Sequence, residues 1–192
     1  MCRRLGESIC SRGAKCALRR RQYPPGIHGP RGYPRLTGFG QQLKEKQKAR
    51  LLYGVTERQF ANYFKKAIRM KGDTGKTLLS LLERRLDNVL YRLHLTTSRR
   101  QARQLVNHGH VLVNKRTVNI PSYQVKPGDV IEFKAGVKEI PFIASNLRQS
   151  QEAPAWIAWD VERMVANVVN LPEFDETNLW MNAKMIVEYY SR

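Results

Sequence analysis

Between Ser98 and Gly109 the chain reads SRRQARQLVNHG, and only one secondary structure sorts these residues by chemistry. On a helical wheel at about 100° per residue with Arg99 at zero, Arg103, Asn107, Arg100 and Gln104 fall at roughly 40°, 80°, 100° and 140°. Leu105, Ala102 and Val106 fall at roughly 240°, 300° and 340°. The spacing predicts a helix with one apolar stripe to bury and every arginine on the other face, turned to solvent. Ser98 and Gln101 have capping-box spacing, and Gly109 supplies the left-handed residue that ends a helix. Downstream, His110–Val113 and Val130–Phe133 have the composition of short strands, with Pro127-Gly128 as a turn between runs. Helix followed by strands predicts an α+β module with a small, mostly antiparallel sheet.

The chain around this module is strongly basic. Its 192 residues carry 34 Lys+Arg against 16 Asp+Glu, a formal net charge of +18. The excess is graded: +11 over residues 1–50, +7 over 51–100, +4 over 101–150 and −4 over 151–192. A polyanion therefore meets the first two thirds, while the acidic end from Gln151 to Arg192 packs internally or meets another protein. The bland alternative is a solvated surface with non-specific affinity, which a steep gradient disfavours. No apolar run approaches the roughly 18 residues needed to span a membrane, and the start lacks the apolar core of a secretion signal. A reducing, cytoplasmic setting follows, and Pro24, Pro25 and the glycines between Gly26 and Gly40 speak against an organellar targeting helix.

The first forty residues read as an extended arm. Arg19, Arg20 and Arg21 precede Tyr23-Pro24-Pro25-Gly26-Ile27-His28-Gly29, and the Pro/Gly-rich path runs on to Gly40. Such backbone does not build a core, but cations interleaved with Tyr23, His28, Tyr33 and Phe39 suit phosphate neutralisation and base stacking, with ordering on RNA. Further on, Thr56 with Gln59 forms another capping box, and Phe60, Phe64, Ala67 and Ile68 repeat at helical spacing as core. Leu78, Leu79, Leu82, Leu86, Val89, Leu90 and Leu93 continue an apolar helical pattern into the module.

Several of these motifs together carry a family resemblance. Arg85-Leu86-Asp87, Ser98-Arg99 with Ala102, and Gly109 before Val113-Asn114 resemble the S-four-like RNA-binding domain. That family usually has glycine after the asparagine; Lys115 stands there, which strains a two-residue turn by on the order of 1 kcal/mol or forces a longer, distorted one. Tyr23–Gly29, Leu43–Lys48, Tyr53-Gly54, Glu57–Phe60 and Tyr189–Arg192 resemble segments of the bacterial-type small ribosomal subunit protein four family, covering nearly the whole chain.

The resemblance implies a basic arm over 1–40, a helical domain over 41–82 completed by 178–192 with a return near Asn178, and a second domain over 83–177 whose RNA-binding module spans about 83–147. It further implies an architectural role: early binding to small-subunit rRNA, organisation of a multi-helix junction, contact with ribosomal protein five, a place along the channel by which mRNA enters, and translational accuracy. The RNA-facing residues expected are Arg19, Arg20, Arg21, Tyr23 and His28 in the arm, and Lys44, Lys46, Lys48, Arg50 and Tyr53 in the first long helix. In the module they are Arg85, Arg92, Ser98, Arg99, Arg100, Arg103, Gln104, His108, His110, Asn114 and Lys115.

Cys2, Cys10 and Cys16 are the only cysteines, all in the arm. Three ligands do not close a structural zinc site, which is almost always four-coordinate. Some members of the resembled family carry a four-cysteine knuckle here that opens with a Cys-x-x-Cys pair. The alternatives are a first cysteine upstream of Met1, a fourth place filled by His28 or water, or a degenerate site; no cofactor is required. His108 and His110 flank Gly109 and suit RNA contact or capping better than metal ligation. Asp87 reads as a salt-bridge partner of Arg85 or another arginine. No phosphate loop, nucleophile elbow or carboxylate cluster marks an enzyme. The rival readings are the accessory module of an RNA-modifying enzyme, disfavoured by the missing catalytic domain, and a helix-turn-helix DNA regulator, disfavoured by the strand after the arginine helix.

Overall fold

In the computed structural model, all residues are described except 11, 33–34, 148–151, 174–180 and 192. Two units form, Met1–Lys76 with Asp175–Arg192, and Thr77–Phe174. Tyr33, Asn178, Gln151 and Arg192, named above, lie outside the described residues.

The first unit contains α1 (Cys2–Leu5), α2 (Ala17–Arg20), α3 (Gly38–Tyr53), α4 (Glu57–Ile68) and the C-terminal α9 (Ala183–Tyr190). Thr37 caps α3 by accepting from Gly40 N, and Gly54 ends it at φ 63°. Although α3 is largely polar, it is held inside the unit by matched charges. Lys46, 3% exposed, places Nζ 2.7 Å from Glu57 Oε1 and 4.7 Å from the Tyr189 ring centroid. Buried Lys48 lies 2.6 Å from Glu7 Oε2. Ammonium groups enter a core only with such partners, because leaving one buried without them costs about 3–5 kcal/mol. Tyr190 donates to Glu57 at 2.9 Å and stacks on Phe64 at 4.5 Å, while Gln42 donates to Glu188, so α9 is fastened to the same cluster.

The arm has a core after all. Cys2, Leu5 and Cys16 are buried, and Arg3 donates to the carbonyls of Tyr23 and Pro24 while lying 4.9 Å over the Tyr23 ring. Pro/Gly-rich backbone builds no ladder, but its turns stay packed where a side chain supplies the missing donors. A Cβ at Gly29 would fall 2.0 Å from the Pro24 carbonyl oxygen, so that loop closes only around glycine. In α4 the Thr56–Gln59 box is complete and Phe60, Phe64 and Ala67 are buried. Ile68 is corrected from core to surface, 57% exposed: it ends the helix about 80° round the wheel from Phe60.

The second unit holds most of α5 (Thr74–Glu83), then α6 (Leu86–Arg92), α7 (Arg99–Asn107) and α8 (Pro141–Leu147). It also holds β1 (Val111–Val113), β2 (Arg116–Thr117), β3 (Val130–Phe133), β4 (Ile157–Asp160) and β5 (Val165–Val168). The leucine pattern from Leu78 to Leu93 is buried throughout, yet it is not one helix. Arg85 turns extended and bridges Gln124, with Leu86 N donating to Tyr123 O and Val125 N to Arg84 O. The strands form one antiparallel sheet in the order β2-β1-β3-β5-β4. Register sets Val113 beside Ile131 and Ile131 beside Ala166, and all three are buried with Leu90, Ala102, Leu105 and Val106.

Val113 pairs with Arg116, which leaves Asn114-Lys115 as a two-residue turn. Of the two alternatives it is the strained two-residue turn that forms: both residues are left-handed, at φ 52° and 66°. Asn114 holds the turn shut, since its Nδ2 donates to Asp129 Oδ1 and its Oδ1 accepts from Val130 N, both at 2.9 Å. Among the described residues no helix is long and apolar enough to cross a membrane.

Candidate nucleic-acid interface

α7 starts where the sequence marks it. Ser98 Oγ accepts from Gln101 N, but Gln101 Oε1 accepts from Thr97 N and Oγ1 at 3.1 Å rather than from Ser98, so the reciprocal bond is displaced by one residue. At the other end His110 N reaches Leu105 O and Gly109 N reaches Val106 O, the paired bonds of a Schellman motif, with Gly109 at φ 68°. Ala102, Leu105 and Val106 are buried as the wheel requires.

The arginines divide in a way the wheel does not show. Arg99 Nε donates to Asn88 Oδ1 at 2.7 Å and its guanidinium lies 4.3 Å over the Tyr91 ring. Arg103 donates from Nε and Nη2 to Asp87 Oδ2 at 3.0 and 2.8 Å. Both stand at the edge of the polar face nearest Val106, within reach of α6, so the reading of all three arginines as solvent-facing is corrected to Arg100 alone. Asp87, buried, is shared with Arg85, which donates to both carboxylate oxygens and is itself only 2% exposed. Glu83, also buried, accepts from Asn88 at 2.7 Å and from Arg92 at 2.8 and 2.6 Å. Two carboxylates of the α5–α6 region thus hold four arginines directly or through Asn88, fixing α7 on its support.

What remains exposed lies on α7 and on the strands that follow it. Arg100, Gln104 and His108 are exposed along α7 and its C-cap, and Lys115 and Arg116 at the hairpin. Lys134 comes close to the end of α7: its N bonds to His110 O, and its Nζ would lie 3.9 Å from a Cβ at Gly109. Sequence reading missed Arg116, Lys134 and Tyr91. Arg116 had a signal in its neighbour Lys115, whereas Lys134 comes close only through the β1–β3 register. His110 is half-buried, its ring 6.1 Å from that of His108. The Asn114 side chain is engaged within its turn, and Ser98 in capping.

The remaining expected positions scatter. Arg19, Arg20, Arg21 and His28 are exposed and Tyr23 half-buried under Arg3. Lys44 is half-buried, Arg50 faces Gln47 and Glu57, and Tyr53 is buried. Burial and pairing withdraw Lys46, Lys48, Tyr53 and Arg85 from any set that must touch a ligand in this conformation.

The sulfurs of Cys2, Cys10 and Cys16 lie within 4.8 Å of one another. Backbone N–H of Leu18, with Ser8, brings the Cys16 thiol down to about 7, while burial pushes Cys2 up. Three convergent sulfurs, one readily ionised, suit a thiophilic divalent ion such as zinc. His28 is not among the clustered ligands.

The description "Ribosomal protein S4/S9 N-terminal domain" matches residues 1–83, and "S4 domain" matches residues 84–131. These two regions define a class, ribosomal proteins in which a helical part precedes an S4 RNA-binding domain. Small ribosomal subunit protein uS4 of Thermodesulfovibrio yellowstonii is 48% identical over 200 residues, covering 100% of this chain and 95% of that protein. The uS4 proteins of Thermus thermophilus and Streptococcus pneumoniae are 44% and 47% identical, covering 100% and 99% of this chain and 95% and 93% of theirs. The chain belongs to the small ribosomal subunit protein uS4 family, whose members are structural and not enzymes.

Proposed function

We propose that this chain binds small-subunit rRNA through Arg100, Gln104, His108, Lys115, Arg116 and Lys134, and works there as a scaffold. One contrast carries the reading. Inside the module Arg85, Arg92 and Arg103 are each paired with Glu83 or Asp87, whereas Arg100, Lys115, Arg116 and Lys134 have no ion-pair partner among the described residues. Free cations fixed on a packed helix and hairpin suit the phosphates and 2′-hydroxyls by which folded RNA is recognised. Arg99 and Arg103, partly exposed, add guanidinium planes whose orientation α6 sets.

At a finer level, the chain would bind early in assembly, hold a multi-helix rRNA junction, and border the channel by which mRNA enters, with effects on translational accuracy. Ribosomal protein five would meet the acidic end from residue 151 on, where the charge sign reverses, and the setting would be a bacterial cytoplasmic ribosome. Cys2, Cys10 and Cys16 would hold zinc as a structural cross-link of the arm, completed by a fourth ligand. Competition of folded small-subunit rRNA against duplex DNA at matched salt tests the central reading. Preference for the folded RNA is expected; equal competition would refute it.

A further inference from the structure

The five-stranded sheet of the second unit has two faces, and helices cover one of them. Val113, Ile131 and Ala166 point to the covered face, where they share a buried cluster with Leu90 of α6, Leu105 of α7 and Ile143 of α8. Side chains alternate along a strand, so the residues between these point the other way. The register lines them up as one row across all five strands: Thr117, Leu112, Glu132, Val165 and Asp160. A second row holds Val130, Asn167 and Ala158, and Val169, whose N bonds to Trp156 O, continues β5 on the same side. None of these side chains is buried, and Val169 is 52% exposed.

Two features set this face apart in a chain of net charge +18. It carries two carboxylates and no cation within its rows, because Lys115, Lys134 and Arg163 stand in turns or beyond strand ends. Glu132, half-buried, has no ion-pair partner among the described residues. Asp160 is paired with Arg163 at 3.7 Å, but both side chains are exposed, and such a pair exchanges partners at little cost. Strands lie about 4.8 Å apart, which sets the two acids about 10 Å apart with Val165 between them. The second feature is aliphatic: Leu112, Val130, Val165 and Val169 occupy positions where an antiparallel sheet facing water carries polar side chains.

Charge decides what can cover such a face. RNA phosphates would be repelled by Glu132 and Asp160, and a second copy of the face would set acid against acid. A cationic protein segment pairs with both acids and covers the aliphatic side chains, giving an apolar centre with a charged rim. Proteins that share an rRNA scaffold need an excess of Lys and Arg to neutralise phosphates, so cationic segments are available as neighbours.

We propose that the outward face of the sheet docks an extended, cationic segment of a neighbouring small-subunit protein, with Glu132 and Asp160 as its ion-pair partners. The proposal rests on the scaffold reading above and does not require the neighbour to be ribosomal protein five.

The test replaces Asn167, exposed between Val130 and Ala158, by a photoreactive phenylalanine analogue in the full chain, and irradiates small subunits that have incorporated it. Mass spectrometry of the adducts should identify a protein segment of net positive charge. Adding Glu132→Lys with Asp160→Lys should lower that adduct by about fivefold or more, because attraction becomes repulsion at both positions. Asp160→Lys alone, at an exposed position, should lower it by about twofold and guards against misfolding of the double change. An adduct to rRNA, an adduct to a neutral or acidic segment, or no adduct above the unirradiated sample would overturn the proposal. An adduct indifferent to both charge reversals would overturn it too. Absence of the unaltered chain from small subunits would instead remove the reading on which it rests.

Discussion

Asp87→Ala removes a carboxylate that two guanidiniums share, and its consequences can be worked from the geometry. Arg85 loses both of its bonds to Asp87, at 3.0 and 2.8 Å, and remains 2% exposed. Arg103 loses two more, but its side chain is 32% exposed and can turn to water. The dominant effect is therefore the buried charge left at Arg85, for which breaking one side of a buried pair costs about 3–5 kcal/mol. Asp87→Asn keeps the shape and one acceptor oxygen and should cost less, about 1.5–3 kcal/mol, the range for hydrogen bonds to charged groups. Arg103→Ala leaves Asp87 still paired with Arg85 and should cost only about 1 kcal/mol. Urea unfolding followed by tryptophan fluorescence measures these differences, since Trp156 and Trp159 pack against the core of the second unit. The midpoint should fall in the order Arg103→Ala, Asp87→Asn, Asp87→Ala, with the slope of free energy against urea unchanged. An Asp87→Ala protein that unfolds at the unaltered midpoint would refute the shared buried carboxylate.

Arg100→Ala should change stability by less than about 0.5 kcal/mol while lowering the salt slope of RNA binding by roughly 0.7 to 0.9; equal RNA binding at all salts would remove Arg100 from the interface. Leu105→Ala, at a buried position of α7, should cost about 2–5 kcal/mol in the same urea assay. Gly109→Ala should destabilise by about 1–2 kcal/mol because φ is 68° there, with Gly109→Asn closer to the unaltered protein. Burial, with Arg92 nearby, holds His94 below its ordinary value of 6.5, so its neutral form is favoured by the fold. That contribution is complete above the unfolded value and is lost as pH falls through it toward the folded one. His94→Asn, which tolerates the left-handed φ of 57°, should therefore show a smaller drop in urea midpoint from about pH 7.5 to about pH 5.5.

The amino-acid order alone determined the parts whose physics is local. Helical period, cap chemistry and a terminating glycine marked α7, and the Thr56–Gln59 box marked the start of α4, because these interactions lie within four residues along the chain. β4 and β5 stayed hidden: Ile157–Asp160 and Val165–Val168 are short, and their pairing with β3 is set by partners far along the chain. The same distance in sequence explains the division of the charges. A wheel places a residue on a face but does not say whether a carboxylate from another element waits there. Asp87 and Asn88 claim Arg103 and Arg99, Glu57 and Glu7 claim Lys46 and Lys48, and Arg100 and Lys115 are left to face outward. Sequence supplied the positive charge; tertiary packing, through the cost of burying an ion without a partner, selected which cations stay available.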